Sequence, residues 1–161
     1  MKISVNTLNV DLFLKLYRSA GWDPPGRKQT DRALQNTRAS FTAYDDGRAI
    51  GMVRLLGDGG MSFYLKDFVV LPEYRGRGVG TALLAAVQKY ITDGLEENWA
   101  VSLELISTKE AVTFYRKEGF EDRPCSWDGP GMFKMVRKKK TEGEGCAEHL
   151  TADIRILPAK E

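Results

Sequence analysis

The feature that most constrains this chain is a glycine-rich turn that joins an apolar segment to an amphipathic one. Residues 69–81 read VVLPEYRGRGVGT, with glycines at positions 76, 78 and 80. The apolar residues after the turn recur at helical spacing, which predicts a helix from about Gly78 to Thr92. Glycines leave backbone N–H groups uncovered, and a helix N-terminus attracts anions. We therefore expect a phosphate or pyrophosphate to bind here, beside Arg75, Arg77 and the hydroxyl of Thr81.

Three known phosphate-binding loops can be compared with this segment. The nucleoside-triphosphate loop requires Gly-Lys followed by Ser or Thr, and this turn contains no lysine. The dinucleotide fingerprint requires G-x-G-x-x-G directly after a strand, but position 81 is threonine and a turn at Pro72 intervenes. The third pattern is R-x-x-G-x-G, which Arg75, Gly78 and Gly80 satisfy in order.

The remaining periodicities predict a mixture of helices and strands. Apolar residues follow a helical stripe from Asp11 to Ala20, with Gly21 as the stop, and a shorter helix is expected from Thr30 to about Thr37 with Thr30 as its cap. Strands are expected at 41–44, 49–56, 62–71 and 99–106, and a capping box at Ser107 opens a helix that ends at Gly119. Residues from Phe120 onward and 132–136 are expected to form the closing strands.

The helix between the strands at 62–71 and 99–106 makes them parallel neighbours through a right-handed connection. The other strands follow one another through short turns and are expected to be antiparallel. The fold class is therefore α/β of the mixed α+β type, with a mostly antiparallel sheet and helices on both faces.

Length and charge exclude several classes of protein. The chain has 161 residues and a formal charge of +2, which suits one domain and gives no reason to expect a nucleic-acid partner. No basic segment followed by an apolar run opens the chain, and no apolar stretch is long enough to cross a membrane. Cys125 and Cys146 lack the spacing of a metal site, so we expect no metal, free thiols and a cytoplasmic location.

The composition changes near the C-terminus. From Arg137 the sequence reads RKKKTEGEG, which is charged and contains glycine. The expected organisation is one domain over residues 1–138 and a charged tail over 139–161. A short ordered strand near 153–157 is left open.

Two segments carry a resemblance to a known family. The run from Asp67 to Leu84 closely resembles the coenzyme-A-binding motif of the GCN5-related N-acetyltransferase (GNAT) family, and 111–120, AVTFYRKEGF, resembles its second motif. The resemblance covers most of residues 9–137. It implies a sheet whose central parallel pair of strands splays apart, with acetyl-CoA as the co-substrate in the gap between them.

The resemblance also implies which residues bind acetyl-CoA. Backbone groups of β-strand residues would hold the pantetheine arm, and the glycine-rich turn would hold the pyrophosphate. The residues concerned are Phe68, Val69, Val70, Arg75, Gly76, Arg77, Gly78, Val79, Gly80 and Thr81.

For catalysis, the resemblance implies direct attack of a neutral amine on the thioester. Tyr115 matches the family's general acid, which protonates the leaving thiolate. Many relatives carry a glutamate on the strand before the loop, but this strand reads Tyr64-Leu-Lys-Asp67. The base is therefore left open between Asp67, Tyr64 and a water-mediated route, and Asp67 is equally well explained as a structural residue.

The acceptor is the least determined part. Tyr17 and Trp22 are candidates for lining an acceptor pocket, although Trp22 is also explained by local packing. The resemblance to small bacterial and plastid members suggests the primary amine of a small molecule, such as an arylalkylamine or a polyamine. Acetylation of a protein, a non-catalytic acetyl-CoA sensor and a homodimer are left open.

Overall fold

The computed structural model describes residues 1–136, and the structural statements that follow concern this part of the chain. The strands are β1 (Lys2–Val5), β2 (Ala39–Asp45), β3 (Arg48–Gly57), β4 (Ser62–Val70) and β5 (Ser102–Glu104). The helices are α1 (Val10–Ser19), α2 (Arg27–Gln35), α3 (Val79–Asp93) and α4 (Val112–Lys117), with single 3-10 turns at Pro72–Tyr74 and Lys109–Ala111.

The strands form one mixed sheet in the order β1-β2-β3-β4-β5. The first four strands are antiparallel to their neighbours, and β4 and β5 are parallel. Helix α3 supplies the crossover between the parallel pair. This confirms the predicted fold class, and it places the parallel pair at one edge of the sheet that residues 1–136 form.

Helices cover both faces of the sheet. On one face the ring of Phe41 in β2 packs edge-on against Tyr90 of α3, with ring centroids 5.6 Å apart. On the other face the guanidinium of Arg54 in β3 lies over the ring of Phe13 in α1. Because side chains alternate along a strand, the apolar residues of β2 and β3 contribute to both layers of the core. The largest fully buried side chains include Phe41, Leu16, Ile50, Met52, Leu55, Leu83 and Leu84.

The first two helices begin with different capping arrangements. Asn9 caps α1, and its side chain accepts a hydrogen bond from the Leu12 N–H at 2.9 Å. Helix α2 begins at Arg27 after Gly26, so the expectation that Thr30 caps it was wrong. Thr30 lies inside the helix, where its hydroxyl donates to the carbonyl of Gly26.

Two other differences concern strands. The first strand, Lys2–Val5, carries only a weak sequence signal and was not predicted. The expected closing strands are absent from residues 120–136, where the apolar side chains of Met132, Phe133, Met135 and Val136 are exposed. The predicted tail at 139–161, with its short strand near 153–157, lies outside the described residues.

Within residues 1–136, each helix is either too short or too polar to cross a bilayer.

Candidate active site

The candidate site begins where β4 is no longer paired with β5. The parallel ladder joins Ser62–Tyr64 to Ser102–Glu104 and stops there, although β4 continues to Val70. In the described part of the chain, the edge of residues 65–70 on that side has no strand beside it. Such an edge presents backbone donors and acceptors that an extended ligand can use.

A bulge lies in this part of β4, in its pairing with β3. Met52 pairs with Val69 and Arg54 pairs with Lys66, so three steps along β4 face two along β3. Asp67 adopts φ +51°, a left-handed conformation that is uncommon for a residue with a Cβ. The bulge therefore changes the direction of the backbone immediately before Phe68, Val69 and Val70.

The glycine-rich turn uses its first two glycines for backbone conformation. Gly76 has φ +70° and Gly78 has φ +78°, and a Cβ at either position would meet no atom within 4 Å. Gly78 is the residue that precedes α3, and no side chain caps this helix. The first amides of α3, those of Val79, Gly80 and Thr81, have no acceptor within the helix, as at any helix N-terminus. This arrangement suits an anion.

The third glycine has a packing role that the sequence did not indicate. A Cβ on Gly80 would stand 3.1 Å from Cζ of Phe114, so the Phe114 ring in α4 lies directly against the first turn of α3. Val79 is also engaged in packing, since its side chain is buried in the core. Of the residues predicted to bind the pyrophosphate, Val79 can offer only its backbone.

The two arginines of the turn are placed differently. Arg75 donates from Nε to the carbonyl of Val70 at 3.2 Å, which links the turn to the end of β4. The guanidinium of Arg77 lies 4.9 Å from the centre of the Tyr74 ring. Both side chains are at the surface beside the N-terminus of α3. The turn is therefore electropositive without a neighbouring lysine.

Thr81 contacts the helix that carries the predicted acid. Its hydroxyl donates to Oε1 of Glu118 at 2.6 Å, and Glu118 directly follows α4. Together with the contact between Phe114 and Gly80, this hydrogen bond joins α4 to the first turn of α3. The sequence motifs indicated neither the contact of Phe114 with Gly80 nor the hydrogen bond between Thr81 and Glu118.

Tyr115 lies in a cluster of aromatic rings. Its ring centroid is 6.0 Å from that of Phe68, 5.0 Å from that of Phe114 and 5.6 Å from that of Phe120. Burial raises the pKa of Tyr115 from 10 to about 12, because the apolar surroundings disfavour the phenolate. The hydroxyl is therefore a proton donor throughout the neutral range, and its ring lies against the bulged end of β4.

The two candidates for the base differ in their surroundings. Asp67 accepts a hydrogen bond from Nε of Arg54 at 2.6 Å, and both side chains are almost fully buried. Tyr64 is half-buried, and burial together with the nearby carboxylate of Glu104 raises its pKa. The carboxylate of Asp67 is engaged by Arg54, and the raised pKa of Tyr64 keeps its hydroxyl protonated at neutral pH, so neither side chain is free to accept a proton from the amine.

The predicted acceptor residues lie together at the end of α1. The rings of Tyr17 and Trp22 meet edge to face with centroids 5.0 Å apart, and Tyr17 also stacks on Phe13. Burial raises the pKa of Tyr17; the carboxylate of Asp67 adds to this effect, the guanidinium of Arg54 opposes it, and Asp23 adds the smallest contribution. Tyr17 therefore lies on the same side of the sheet as the bulge, in an aromatic environment near the Arg54–Asp67 ion pair.

Two of the comparisons with known proteins extend over most of the chain. A crystal structure of a protein of unknown function from meticillin-resistant Staphylococcus aureus, described as a probable acetyltransferase, is 32% identical, with a TM-score of 0.72. The match covers 84% of this chain and 98% of that one. An uncharacterized N-acetyltransferase of Porphyra purpurea is 29% identical over 139 residues, which is 82% of this chain and 76% of that protein.

A third match is shorter. A histone acetyltransferase of Glycine max is 35% identical over 77 residues, which is 48% of this chain and 32% of that protein. The matched region is thus about a third of the plant protein.

The fold, the unpaired edge of β4 and the uncapped start of α3 fit an acyltransferase. The family model described as an acetyltransferase (GNAT) domain matches residues 36–122, more than half of the chain. The chain therefore belongs to the GNAT family of N-acetyltransferases.

Proposed function

We propose that this acetyltransferase transfers the acetyl group of acetyl-CoA to the primary amine of a small molecule. Acetyl-CoA supplies the acyl group as a thioester. The residues present fit it in two respects, the unpaired edge at Phe68–Val70 and the turn in which Gly76 and Gly78 face open space. The edge suits the amide-containing pantetheine arm, and the turn with the first amides of α3 suits the pyrophosphate.

We assign the following residues to acetyl-CoA binding and to proton donation. Arg75, Arg77 and the backbone of residues 76–81 hold the pyrophosphate, and Phe68, Val69 and Val70 hold the pantetheine arm. Tyr115 donates its proton to the thiolate that leaves as the amine attacks. A tyrosine with a pKa of about 12 keeps that proton at neutral pH, which suits a general acid.

The proposal of a small amine rests on the residues at the end of α1, on the face of the sheet that carries the Asp67 bulge. Tyr17 and Trp22 form an aromatic pair, and the carboxylate of Asp23 is near enough to Tyr17 to contribute to its raised pKa. Aromatic faces and carboxylates both attract a cationic amine from water. The amine loses one proton to water before it attacks, because Asp67 is bound to Arg54. The second proton that the nitrogen loses as the C–N bond forms restores the phenol of Tyr115.

A second candidate is acetylation of a protein amine. The match to the histone acetyltransferase of Glycine max supports it, although only 48% of this chain takes part. We therefore rank it below the small amine.

The test is release of free coenzyme A with a panel of acceptors. Aromatic amines, polyamines and lysine-containing peptides are offered at equal concentration, with acetyl-CoA alone as the blank. Small amines should give at least tenfold higher kcat/KM than peptides. Turnover with peptides alone would support the second candidate. Binding of acetyl-CoA without release on any acceptor would contradict both.

A further inference from the structure

Arg54 is the only charged residue that is buried within residues 1–136, at 8% exposure. It lies inside β3 among apolar residues, whereas the other arginine of this strand, Arg48, is exposed at its first position. A buried guanidinium must have its donors satisfied, because removing a charge from water is costly. The partners of Arg54 therefore indicate what this charge is used for.

These partners come from separate elements of the structure. Nε donates to Oδ2 of Asp67 in β4 at 2.6 Å. Nη1 donates to the carbonyl of Ala33 at 3.1 Å and to the hydroxyl of Thr37 at 2.8 Å, at the end of α2. The guanidinium also lies 5.7 Å from the centre of the Phe13 ring in α1. One side chain thus joins the β4 bulge to both N-terminal helices.

The contact with Asp67 is made at the bulge residue. Asp67 has φ +51°, a left-handed conformation that is unfavourable for most residues and that glycine, asparagine and aspartate adopt most readily. The ion pair with Arg54 holds it there. The next residue, Phe68, contacts the ring of Tyr115 and lies on the unpaired edge of β4. The conformation of Asp67 therefore sets where Phe68 lies relative to Tyr115.

We propose that Arg54 is a positioning residue for acetyl transfer. Through Asp67 it fixes the bulge that places the Phe68–Val70 edge against Tyr115. Through its contacts with Ala33, Thr37 and Phe13 it also attaches α1 and α2 to the bulge. Asp67 serves the bulge and does not take the proton of the amine. This inference rests on the proposed function, because it assumes that the thioester lies along that edge.

Positioning has a large effect on rate, because a displacement of about 1 Å can reduce turnover by about 100-fold. Removing only one member of the ion pair would leave an uncompensated buried charge and endanger folding. The test therefore uses Arg54→Met as a common background. In that background, residue 67 is changed to Ala in one variant and to Gly in the other.

These two double variants lack the ion pair equally and differ in backbone freedom. Glycine adopts φ +51° at no steric cost, whereas alanine does not. We expect R54M/D67A to lose about 100-fold in kcat, with the dissociation constant of coenzyme A changed less than threefold. The kcat of R54M/D67G should be at least about tenfold higher than that of R54M/D67A. Ile91→Ala, in the last turn of α3 and away from the turn at 76–80, is the control for lowered stability and should keep wild-type kcat.

A second readout does not depend on the acceptor. Addition of acetyl-CoA should shift the amide NMR signals of Phe68 and Val70 equally in the wild type and R54M/D67G. In R54M/D67A, where the edge is displaced but coenzyme A still binds, the size of these shifts should differ from the wild type. If the wild type shows the shifts but acetylates no amine, the proposed function fails and the positioning role stands. Equal kcat in R54M/D67A and the Ile91→Ala control, or equal losses with Ala and Gly at position 67, would overturn the inference.

Discussion

The ring of Phe114 lies so close to the backbone of Gly80 that a Cβ there would stand 3.1 Å from Cζ. This contact places α4, which carries Tyr115, directly on the start of α3, which we propose binds the pyrophosphate. The hydrogen bond between Thr81 and Glu118 lies beside it. The proposed acid and the proposed anion site therefore share one packing interface.

Substitution of Gly80 should uncouple these two helices. Gly80→Ala introduces a methyl group against the Phe114 ring, and overpacking of this kind costs about 1–3 kcal/mol. We expect the free energy of unfolding to fall by that amount and kcat to fall by about tenfold, as Tyr115 is displaced. Denaturant unfolding and steady-state kinetics measure the two effects. The double variant G80A/F114L should recover most of the stability; no recovery would show that the contact is not the cause.

Gly78→Ala should act through backbone conformation instead. No atom lies within 4 Å of the added Cβ, but φ is +78°, which costs a residue with a Cβ about 1–2 kcal/mol. We expect weaker binding of coenzyme A by calorimetry and a lower melting temperature, with Gly78→Asn less affected than Gly78→Ala. Gly129→Ala is the matched control, since its Cβ also meets open space and its φ is not in the left-handed region. Equal effects at 78 and 129 would contradict a conformational role.

Tyr115→Phe should separate chemistry from binding. Loss of a general acid lowers turnover by about 100-fold or more, while the dissociation constant of acetyl-CoA should remain within twofold. Because the pKa of Tyr115 is about 12, the wild type should show no alkaline loss of kcat from this group at pH 7–10. Rates measured over that range check both points. Unchanged turnover in the variant would remove Tyr115 from the mechanism.

The same tyrosine should influence alkaline stability. The unfolded chain releases the phenol proton near pH 10 and the folded chain near pH 12, so the unfolded state binds fewer protons between these values. Stability is therefore unaffected below pH 10 and falls as the pH rises towards 12, by about 2–3 kcal/mol. Urea unfolding at pH 9 and pH 11 should show a smaller loss in Tyr115→Phe than in the wild type. An equal loss in both would contradict the burial of the hydroxyl.

Arg77→Ala should weaken acetyl-CoA binding by about 10-fold or more, the size expected when one charge-assisted hydrogen bond is lost. The affinity should also depend less steeply on salt concentration than in the wild type, because one screened attraction is missing. Titrations at two ionic strengths measure this. Arg18→Ala, an exposed arginine at the end of α1, is the control and should leave both properties unchanged.

Much of the fold could be predicted from local pattern. The spacing of Val79, Leu83, Leu84, Val87 and Ile91 predicted α3, and all five side chains are buried. The alternation and turns of residues 41–71 predicted three antiparallel strands, which are β2, β3 and β4. These predictions succeed because helix and strand periodicity depend on residues that are close in sequence.

The errors arose where local signals were weak or distant contacts decided. The cap of α2 was assigned to Thr30, but the chain enters the helix earlier, where Gly26 precedes Arg27. Thr30 is instead buried inside the helix. Residues 132–136 are apolar apart from Lys134, which suggested a strand, yet in the structure they form none. An apolar segment predicts a strand only where another strand is available to pair with it.

By itself, the sequence determined the family and the local conformation of the glycine-rich turn. Arg75, Gly78 and Gly80, followed by an amphipathic helix, predict a helix start that suits an anion, because glycine conformation and helix amides are local properties. Only the tertiary structure decided how the site is assembled. Arg54 reaches Asp67, and Phe114 reaches Gly80, across 13 and 34 positions of the chain. Such pairings depend on how helices and strands pack together, and no short-range pattern in the sequence specifies that packing.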